Sequence, residues 1–298
     1  MIEKSTIIIT STGRTGTDFF ANLFAKVIPD CTSLHEPDII KYSGVENRYH
    51  YLRQQIRRTG IWRMVILKAL GKWTLVKISD ERFQGVLEDR LAEKRLYDQR
   101  KGFIAKMPGK VYVEANLGYY GLLDIAPGVF KNHRAIYLVR DGRDWVRSMW
   151  NWGEVYGKTG IRKLIGHRWP TAEDLPTDEY AEKWHAISRF EQLCWAWTRL
   201  NEFALRSIAK NPRACLFHFE TIFTGNARYE QLADLVHFAT DGLPDLDPGT
   251  IGSTQGWLEQ KIHQSSGGFP GWENWTADQK RSFEHLCGPL MEKLGYKF

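Results

Sequence analysis

The chain has 298 residues, of which 43% are hydrophobic and 26% are charged, a composition that excludes an intrinsically disordered protein and supplies ample material for a core. Its formal net charge of +6 and its twelve tryptophans favour an anionic ligand or a nucleic acid. The positive excess is local, because residues 41–110 hold 17 Lys and Arg against 7 Asp and Glu, whereas the rest of the chain holds 24 against 28.

The cysteines and histidines show no spacing that is typical of a metal site. The four cysteines form no CxxC pair and the nine histidines form no HxxxH or HExxH pair, so we expect neither a metal nor a disulfide framework. No stretch approaches the roughly 18 apolar residues of a membrane-spanning helix, and the N-terminal apolar run is too short for a signal peptide. The sequence therefore predicts a cytoplasmic protein without bound metal, and it leaves the oligomeric state open.

The first predicted elements are a strand, a glycine-containing loop and a helix. Ser5–Thr10 is rich in β-branched residues and predicts a buried strand, and Thr17–Val27 has the apolar spacing of an amphipathic helix. The basic segment 41–110 is predicted to be mostly helical and to form an insertion. Lys110–Glu114 and Arg134–Val139 are predicted strands.

The second half continues the alternation of helices and strands. Arg140–Trp152 enters a helix, and Asp178–Lys210 is the longest predicted helix, with Asp178 as its N-cap and Trp184 and Trp197 packed in the core. The remaining predicted elements are a strand at Cys215–Phe219 and helices at Asn226–Thr240 and Ala277–Leu294, the last closed by Gly295. This order predicts a single three-layer α/β domain over residues 1–298, with a central parallel sheet flanked by helices.

The turn after the first strand has the features of a phosphate-binding loop. Gly13 and Gly16 allow the backbone to approach an anion closely. Thr15 and Thr17 add hydroxyl donors, and Arg14 adds a charged fork of donors. The unpaired N–H groups of the helix start favour an anion at the same place. No lysine follows Gly16, so the loop is not of the Walker A type, and an ordinary strand–helix turn is the alternative interpretation.

A second motif follows the strand at 134–139. Arg140 ends this strand, and Ser148 lies eight residues later on the next helix. Because ligands of parallel sheets bind at the carboxyl edge, both side chains can converge on one phosphate there. The alternative is a network of surface ion pairs among Arg140, Asp141, Arg143 and Asp144.

Together the two motifs resemble those of sulfotransferases that use 3′-phosphoadenosine 5′-phosphosulfate (PAPS). That family has a [KR]-[ST]-G-[TS]-[ST] loop after the first strand and a strand-end Arg followed eight residues later by Ser, which match residues 14–17 and the pair Arg140 and Ser148. The C-terminal stretches Gly271–Trp275 and Cys287–Tyr296 also resemble the family. The resemblance implies a P-loop-like fold that holds the 5′-phosphosulfate in the first loop and the 3′-phosphate at Arg140 and Ser148, with adenosine 3′,5′-bisphosphate (PAP) as the product and no metal.

The resemblance implies a set of donor-binding residues. These are Gly13, Arg14, Thr15, Gly16, Thr17, Asp18, Phe19, Arg140, Ser148, Ser266, Gly267 and Gly268. Asp18 departs from the Ser or Thr of the family and is expected to point away from the phosphates. Residues 265–268 replace the family's Arg-Lys-Gly, so their contacts would come from backbone and hydroxyl groups. Phe19, Phe20 or Trp145 is expected to stack on the adenine.

The catalytic residues follow from the same resemblance and from the chemistry of sulfuryl transfer. Arg14 would stabilise the charge on the leaving phosphate. Glu36 is the preferred general base, because family branches acting on protein tyrosine or glycans place a glutamate at a similar offset, and Pro37 would hold it extended. His35 is the second candidate, since its ordinary pKa is closer to neutrality.

The acceptor is the least determined part of the sequence-based picture. Glu114 and Asn116 would contact it or orient Arg14, although a buried Glu114 paired with an arginine is an equal alternative, and Glu220 is expected to be structural. The basic segment 41–110 would attract an anionic acceptor or a membrane surface, or would simply be a solvated face.

Three functions remain open at this stage. The first is transfer of a sulfuryl group from PAPS to an acceptor hydroxyl of a glycan or small molecule, with no nucleic acid as partner. The second is a P-loop kinase of nucleotides or metabolites, and the third, which rests only on charge and aromatic content, is a nucleic-acid-binding protein.

Overall fold

The centre of the fold is a five-stranded sheet, seen in a computed structural model that describes residues 1–37, 74–153, 155–157, 169–259 and 267–297. Its strands are β1 (Ser5–Ser11), β2 (Cys31–His35), β3 (Val111–Ala115), β4 (His133–Val139) and β5 (Ala214–His218). All pairings are parallel and the order is β2-β3-β1-β4-β5. The chain thus builds β2 and β3 on one side of β1 and the later strands on the other, an arrangement that opens a crevice at the carboxyl end of β1.

Helices cover the sheet between the strands. They are α1 (Thr17–Val27), α2 (Leu75–Phe83), α3 (Asp89–Ile104), α4 (Ala126–Val129), α5 (Gly142–Trp152), α6 (Arg189–Ile208), α7 (Phe219–Phe223), α8 (Arg228–Thr240) and α9 (Ala277–Lys293). Short 3₁₀ turns lie at Leu117–Tyr119, Ala172–Asp174, Pro248–Thr250, Trp257–Glu259 and Trp272–Asn274. The predicted α/β fold with a parallel central sheet is confirmed, and the strand and helix limits mostly agree with the sequence to within two residues.

Both faces of the sheet are buried, as the β-branched run of β1 predicts. Ile7 and Ile9 face a core that includes Phe20 and Phe24 of α1. Ile8, between them, faces the opposite core, which includes Trp145 of α5 and Trp197 of α6. Because successive strand residues point to opposite faces, one β-branched strand serves two apolar layers, and this fixes its carboxyl end between α1 and α5.

The longest predicted helix begins later than expected. Residues 178–187 form turns, and α6 begins after Ser188, whose hydroxyl and Glu191 form a reciprocal capping box. The predicted cap at Asp178 is therefore wrong, and its carboxylate instead accepts from Arg199 Nε at 2.9 Å. Tyr180 and Trp184 are both buried, so their spacing in the sequence imitates that of an amphipathic helix. The backbone that carries them nevertheless forms turns and not a continuous helix.

The second half of the basic segment packs on the sheet. Leu75 and Leu96 are fully buried on α2 and α3, which are helices as predicted. Two arginines of this half are buried in ion pairs, Arg82 with Asp124 and Arg100 with Glu114. Residues 74–110 thus form part of the domain's helical layer, and the rest of the expected insertion lies outside the described residues.

Candidate functional site

The loop between β1 and α1 has an unusual backbone. Gly13, Arg14 and Gly16 have φ angles of 92°, 58° and 75°, in the left-handed region that favours glycine. A Cβ on Gly16 would lie 3.2 Å from Phe223 Cζ, and a Cβ on Gly13 would lie 3.2 Å from Met149 Cε. The backbone conformation therefore favours glycine at both positions, and a side chain at either would crowd its neighbour, whereas Arg14 adopts a conformation that is costly for a residue with a side chain.

This loop presents donors for which the described part of the chain offers no acceptor. Within the described residues, the N–H groups of Arg14 to Thr17 have no acceptor, and the buried Thr15 Oγ1 has no hydrogen-bond partner. The N–H of Gly13 is different, because it donates to Ser11 Oγ. Unpaired donors at the start of an eleven-residue helix favour an anion, since the helix dipole adds to their partial charges.

Two arginines from distant parts of the chain converge on the loop. Arg14 Nε donates to Ser148 Oγ at 3.0 Å, and Arg140 Nη1 donates to the carbonyl of Arg14 at 2.9 Å. The sequence spacing thus correctly places Arg140 and Ser148 beside the loop, although Ser148 contacts Arg14 rather than Arg140. Burial lowers the pKa of both guanidinium groups, and the charge of Arg140 further lowers the pKa of Arg14. Two partly desolvated cations at one edge repel each other, and an anion between them would offset that cost.

Arg140 has one guanidinium donor atom that is unsatisfied within the described residues. Its buried Nε has no partner within the described part of the chain, and its guanidinium carbon lies 4.6 Å from the ring centroid of Phe219. Burial of an unsatisfied charged donor is costly, so this atom and Thr15 Oγ1 together favour a bound anion at this place.

Trp145 supports the loop rather than a ligand. Its indole is fully buried, and Nε1 donates to the carbonyl of Gly13 at 3.0 Å. Phe20 is also fully buried, in the core beneath α1. The expectation that either side chain stacks on adenine is therefore wrong, because neither ring has a free face.

A cluster of aromatic rings beside the loop was missed by the sequence analysis. Half-buried Phe19 packs edge-on against Phe223, with ring centroids 5.1 Å apart, and against Trp257 at 6.2 Å. Phe219 lies 4.5 Å from Phe223. The signal was present, since Phe219 directly follows β5 at the carboxyl edge of the sheet and Phe223 lies one turn later on α7. Phe19, expected to stack on the adenine, thus lies in an aromatic cluster with Phe219, Phe223 and Trp257.

The candidate bases lie on the opposite side of the loop, at the end of β2. His35 Nε2 is 3.1 Å from Thr17 Oγ1 and 3.9 Å from Glu36 Oε2, and His35 Nδ1 is 3.4 Å from Asp18 Oδ1. His35 and Glu36 are only 16% and 13% exposed. Asp18 thus faces the imidazole, which the sequence did not predict. His35 thus contacts the start of α1 with Glu36 beside it, and both candidate bases are partly shielded from water.

Glu36 does not have the extended backbone expected before Pro37. Its φ is 43°, and its N–H donates to the carbonyl of Ala115 at 2.9 Å. The hydrogen bond continues the β2–β3 ladder for one residue while the chain turns in the left-handed region. This conformation costs on the order of 1–3 kcal/mol, and such strain is typical of functional positions.

Glu114 and Asn116 are enclosed. Glu114 is fully buried and receives two hydrogen bonds from Arg100, at 2.8 and 2.6 Å. The phenol of Tyr112 and the amide of Asn116 also donate to it. The contact with the acceptor expected of Glu114 and Asn116 does not fit this placement, and the structure shows the alternative, a buried glutamate paired with an arginine.

Glu220 joins three elements, in agreement with the structural role expected of it. It accepts from the N–H of Asp141 at 2.8 Å and from the hydroxyl of Tyr296 at 2.9 Å. Burial raises its pKa. Because Asp141 caps α5, this contact holds the helix that carries Ser148 to the end of β5 and to the C-terminal segment.

The glycine stretch expected near the 3′-phosphate lies along α5. A Cβ on Gly267 would overlap the amide of Asn151, which accepts from the N–H of Phe269 at 3.0 Å. Asn151 is one turn from Ser148, so Gly267 and Gly268 are near the expected position. Ser266 lies outside the described residues.

A small pocket, with an interior of about 10 Å³, lies beside the loop between α2 and α6. Its polar groups include Thr12, Asp80 and Tyr120, and the hydroxyl of Tyr120 donates to Asp80 Oδ1 at 2.8 Å. Burial raises the pKa of the Asp80 carboxyl to about 8, against the smaller opposing effect of the Tyr120 hydrogen bond. The raised pKa favours the uncharged acid form of Asp80 at neutral pH.

Asp80→Asn is expected to remove part of the pH dependence of stability. The pKa of Asp80 is near 4 in an unfolded chain and about 8 in the folded one, so the folded state holds the extra proton and stability falls as pH rises between these values. Urea unfolding at pH 5 and pH 8 should show a decrease on the order of a few kcal/mol that the variant lacks. The exposed Asp98→Asn, which keeps this decrease, is the control. Equal decreases in wild type and Asp80→Asn would show that Asp80 is charged in the fold.

The described ranges contain no helix that could cross a membrane and no group of three or more His, Cys, Asp or Glu side chains placed to hold a metal ion.

Comparison with known proteins identifies the fold. No family model and no curated protein matches the chain. Among solved structures, the chain is similar to the sulfotransferase STF9 from Mycobacterium avium, with 12% identity and a TM-score of 0.55 over 100% of this chain and 78% of that one. A sulfotransferase domain from the curacin biosynthetic pathway matches with 14% identity and a TM-score of 0.46 over 100% of both chains. A sulfotransferase from Alicyclobacillus acidocaldarius matches with 11% identity and a TM-score of 0.40 over 99% and 97%. The likeness to STF9 shows that this chain has a sulfotransferase fold.

Proposed function

We propose that this chain transfers the sulfuryl group of PAPS to the hydroxyl of an acceptor. The observation that carries the proposal is the convergence of Arg14, Arg140 and the unpaired donors of the Thr12–Thr17 loop at one edge of a sulfotransferase fold. A kinase of the Walker A type would need a lysine after Gly16, which this chain lacks. The nucleic-acid alternative loses support because Arg82 and Arg100 of the basic segment are buried in ion pairs.

The residues present fit the donor molecule. The loop N–H groups and Thr15 Oγ1 would hold the 5′-phosphosulfate. Arg140 Nε and Ser148 would hold the 3′-phosphate, and the rings around Phe19 would border the adenine. When bound, PAPS supplies an activated sulfuryl group.

The chain's own residues have separable tasks in the transfer. Arg14 would stabilise the negative charge that remains on the phosphate oxygen as its bond to sulfur breaks. Glu36 would take the proton from the acceptor hydroxyl while that oxygen forms its bond to sulfur, so the sulfuryl group moves to the acceptor and the proton to the carboxylate. His35 contacts the Thr17 hydroxyl and lies beside Glu36, so it would hold the Glu36 carboxylate in a fixed position relative to the loop.

Adenosine 3′,5′-bisphosphate is expected to raise the melting temperature by about 4 °C at a concentration near 100 times its Kd, because it binds only the folded state. Adenosine 5′-monophosphate, which lacks the 3′-phosphate, should give a smaller shift. Differential scanning fluorimetry without added metal provides the measurement. A protein stabilised only by ATP with Mg²⁺ would instead be a kinase, and the absence of any shift with the bisphosphate would overturn the proposal.

Arg140→Ala and Arg143→Ala form a matched pair for the same assay. Arg143 lies three residues from Arg140 but pairs with Asp141 and stacks over Trp272. In Arg140→Ala the shifts given by the two nucleotides should become nearly equal, whereas Arg143→Ala should keep the wild-type difference.

A further inference from the structure

The peptide unit that joins Arg140 to Asp141 is held from both sides. Its carbonyl, on Arg140, accepts from Trp197 Nε1 at 3.0 Å, and its N–H, on Asp141, donates to Glu220 Oε1 at 2.8 Å. These two hydrogen bonds fix the plane of the peptide at the end of β4, where the Arg140 side chain leaves the backbone. The guanidinium lies over the ring of Phe219, the residue before Glu220. The start of α7 thus contacts both the backbone and the side chain of Arg140.

The position of the Arg140 guanidinium depends on these supports. Among the described residues it makes one hydrogen bond, from Nη1 to the carbonyl of Arg14, and its Nε has no partner. A binding group keeps its geometry when the residues around it are themselves held by packing and hydrogen bonds. A change in the peptide plane would therefore move the donor that is proposed to hold the 3′-phosphate.

The second oxygen of the Glu220 carboxylate is bound by the C-terminal segment. Glu220 Oε2 accepts from the hydroxyl of Tyr296 at 2.9 Å, and the ring of Tyr296 packs against His218 with centroids 5.2 Å apart. Because each carboxylate oxygen has a different donor, the carboxyl group cannot turn without losing one of the two hydrogen bonds. Tyr296 thus orients the carboxylate that holds the N–H of Asp141.

The end of α9 determines where Tyr296 lies. Gly295 has a φ of 79°, its N–H donates to the carbonyl of Glu292, and the N–H of Tyr296 donates to the carbonyl of Met291. This pair of hydrogen bonds is the Schellman motif, which fixes the path of the chain after a helix. Met291 Sδ also accepts from the N–H of Gly142 at 3.4 Å. The end of α9 is therefore attached to the start of α5, directly and through Glu220.

We propose that Tyr296 and Glu220 are positioning residues for Arg140, so that recognition of the 3′-phosphate depends on the C-terminal segment. The tyrosine hydroxyl would orient the carboxylate, and the carboxylate would orient the peptide from which Arg140 extends. The inference rests on the proposed function and deepens it. Neither residue is expected to touch the nucleotide, and a carboxylate would repel a phosphate if it did.

The ratio of the Kd of adenosine 5′-monophosphate to that of adenosine 3′,5′-bisphosphate measures recognition of the 3′-phosphate alone. Calorimetric titration of both nucleotides gives this ratio without turnover. A merely structural role would leave it unchanged, because a general loss of order would weaken both nucleotides alike. In Tyr296→Phe, which removes only the hydroxyl, we expect the ratio to fall about threefold to tenfold, the range that corresponds to one hydrogen bond.

Tyr112→Phe is the matched control for Tyr296→Phe. The hydroxyl of Tyr112 also donates to a glutamate, Glu114 Oε2 at 2.8 Å, but both residues lie on β3 and have no hydrogen bond to Arg140 or Asp141 in the described part of the chain. This variant loses a hydrogen bond of the same kind in the core. It should lower the melting temperature and keep the wild-type ratio.

Glu220→Gln and Glu220→Leu separate the geometry of the contact from its charge. Glutamine keeps an oxygen for the N–H of Asp141 and an amide that can donate to the hydroxyl of Tyr296, whereas leucine has a similar size and neither group. The ratio should be kept or raised in Glu220→Gln, which removes a negative charge near the phosphate. It should fall about tenfold in Glu220→Leu, because the N–H of Asp141 loses its acceptor. Tyr296→Phe serves if Glu220→Leu does not fold.

The outcomes distinguish this inference from the proposed function. If the wild-type protein does not bind the bisphosphate more tightly than the monophosphate, both fail. If the wild type has this preference but Tyr296→Phe retains it in full, if Tyr112→Phe loses as much of it, or if Glu220→Gln loses as much as Glu220→Leu, the positioning role is overturned alone.

Discussion

Arg14→Gly is expected to lower kcat for sulfuryl transfer at least a hundredfold while the protein remains folded. The guanidinium is the charged donor on the loop that would hold the leaving phosphate, and removal of one such donor from a preorganised site typically costs 10²- to 10³-fold in rate. The measurement is single-turnover transfer of labelled sulfate from PAPS with saturating acceptor, so that binding of the donor does not limit the rate.

Stability should not fall with this substitution, which sets it apart from ordinary losses of activity. Arg14 has a φ of 58°, and glycine adopts such angles without strain. The change also removes one of two neighbouring, partly buried cations. We therefore expect a melting temperature equal to or above that of wild type.

Asp30→Gly is the matched control for Arg14→Gly. Asp30 has a similar φ of 50°, but it precedes β2 at the amino edge of the sheet, away from the loop. It should share the backbone effect on stability and leave turnover unchanged. Arg14→Gly with near-normal turnover would remove Arg14 from the chemistry, and loss of activity in both variants would point to the backbone instead.

The sequence could predict the convergence of Arg14, Arg140 and Ser148 because topology alone determines it. Buried parallel strands are recognisable from their β-branched runs, and every residue that follows such a strand lies at the same edge of the sheet. The eight-residue offset then places Ser148 on the second turn of α5, facing back toward the strand end. No knowledge of side-chain packing is needed for this step.

The roles of Trp145 and Glu114 could not be predicted in the same way. Each depends on a partner distant in sequence, because Trp145 binds the carbonyl of Gly13 and Glu114 binds Arg100. A tryptophan after a strand end has the same pattern whether it faces a ligand or a backbone carbonyl. Only the packed fold decides between these alternatives.

The backbone conformation of Glu36 also could not be predicted from the sequence. Statistical preference places a residue before proline in the extended region, yet Glu36 lies at a φ of 43° because its N–H continues the pairing with β3. The tertiary hydrogen bond outweighs the local preference. The result directs attention to Glu36, since strain of this kind persists only where the surrounding structure enforces it.

Glu36→Gln should therefore collapse kcat by 10²- to 10⁴-fold, the usual contribution of a positioned general base, while leaving nucleotide binding intact. Glutamine keeps the size, the left-handed backbone strain and the hydrogen bond to Ala115, so only the proton-accepting carboxylate is removed. The readouts are kcat for transfer to the best acceptor and the thermal shift with adenosine 3′,5′-bisphosphate.

His35→Asn decides between the two candidate bases. His35 contacts Thr17 and lies 3.4 Å from Asp18, so if it only orients the site its loss should lower kcat modestly and leave Glu36 able to accept the proton. A collapse of kcat in His35→Asn, with near-normal turnover in Glu36→Gln, would transfer the role of base to the imidazole. In that case Asp18→Asn should also lower kcat, because its carboxylate faces Nδ1 and would stabilise the imidazolium formed in the transfer. Under the Glu36 mechanism no charge develops on His35, and Asp18→Asn should have little effect on the rate.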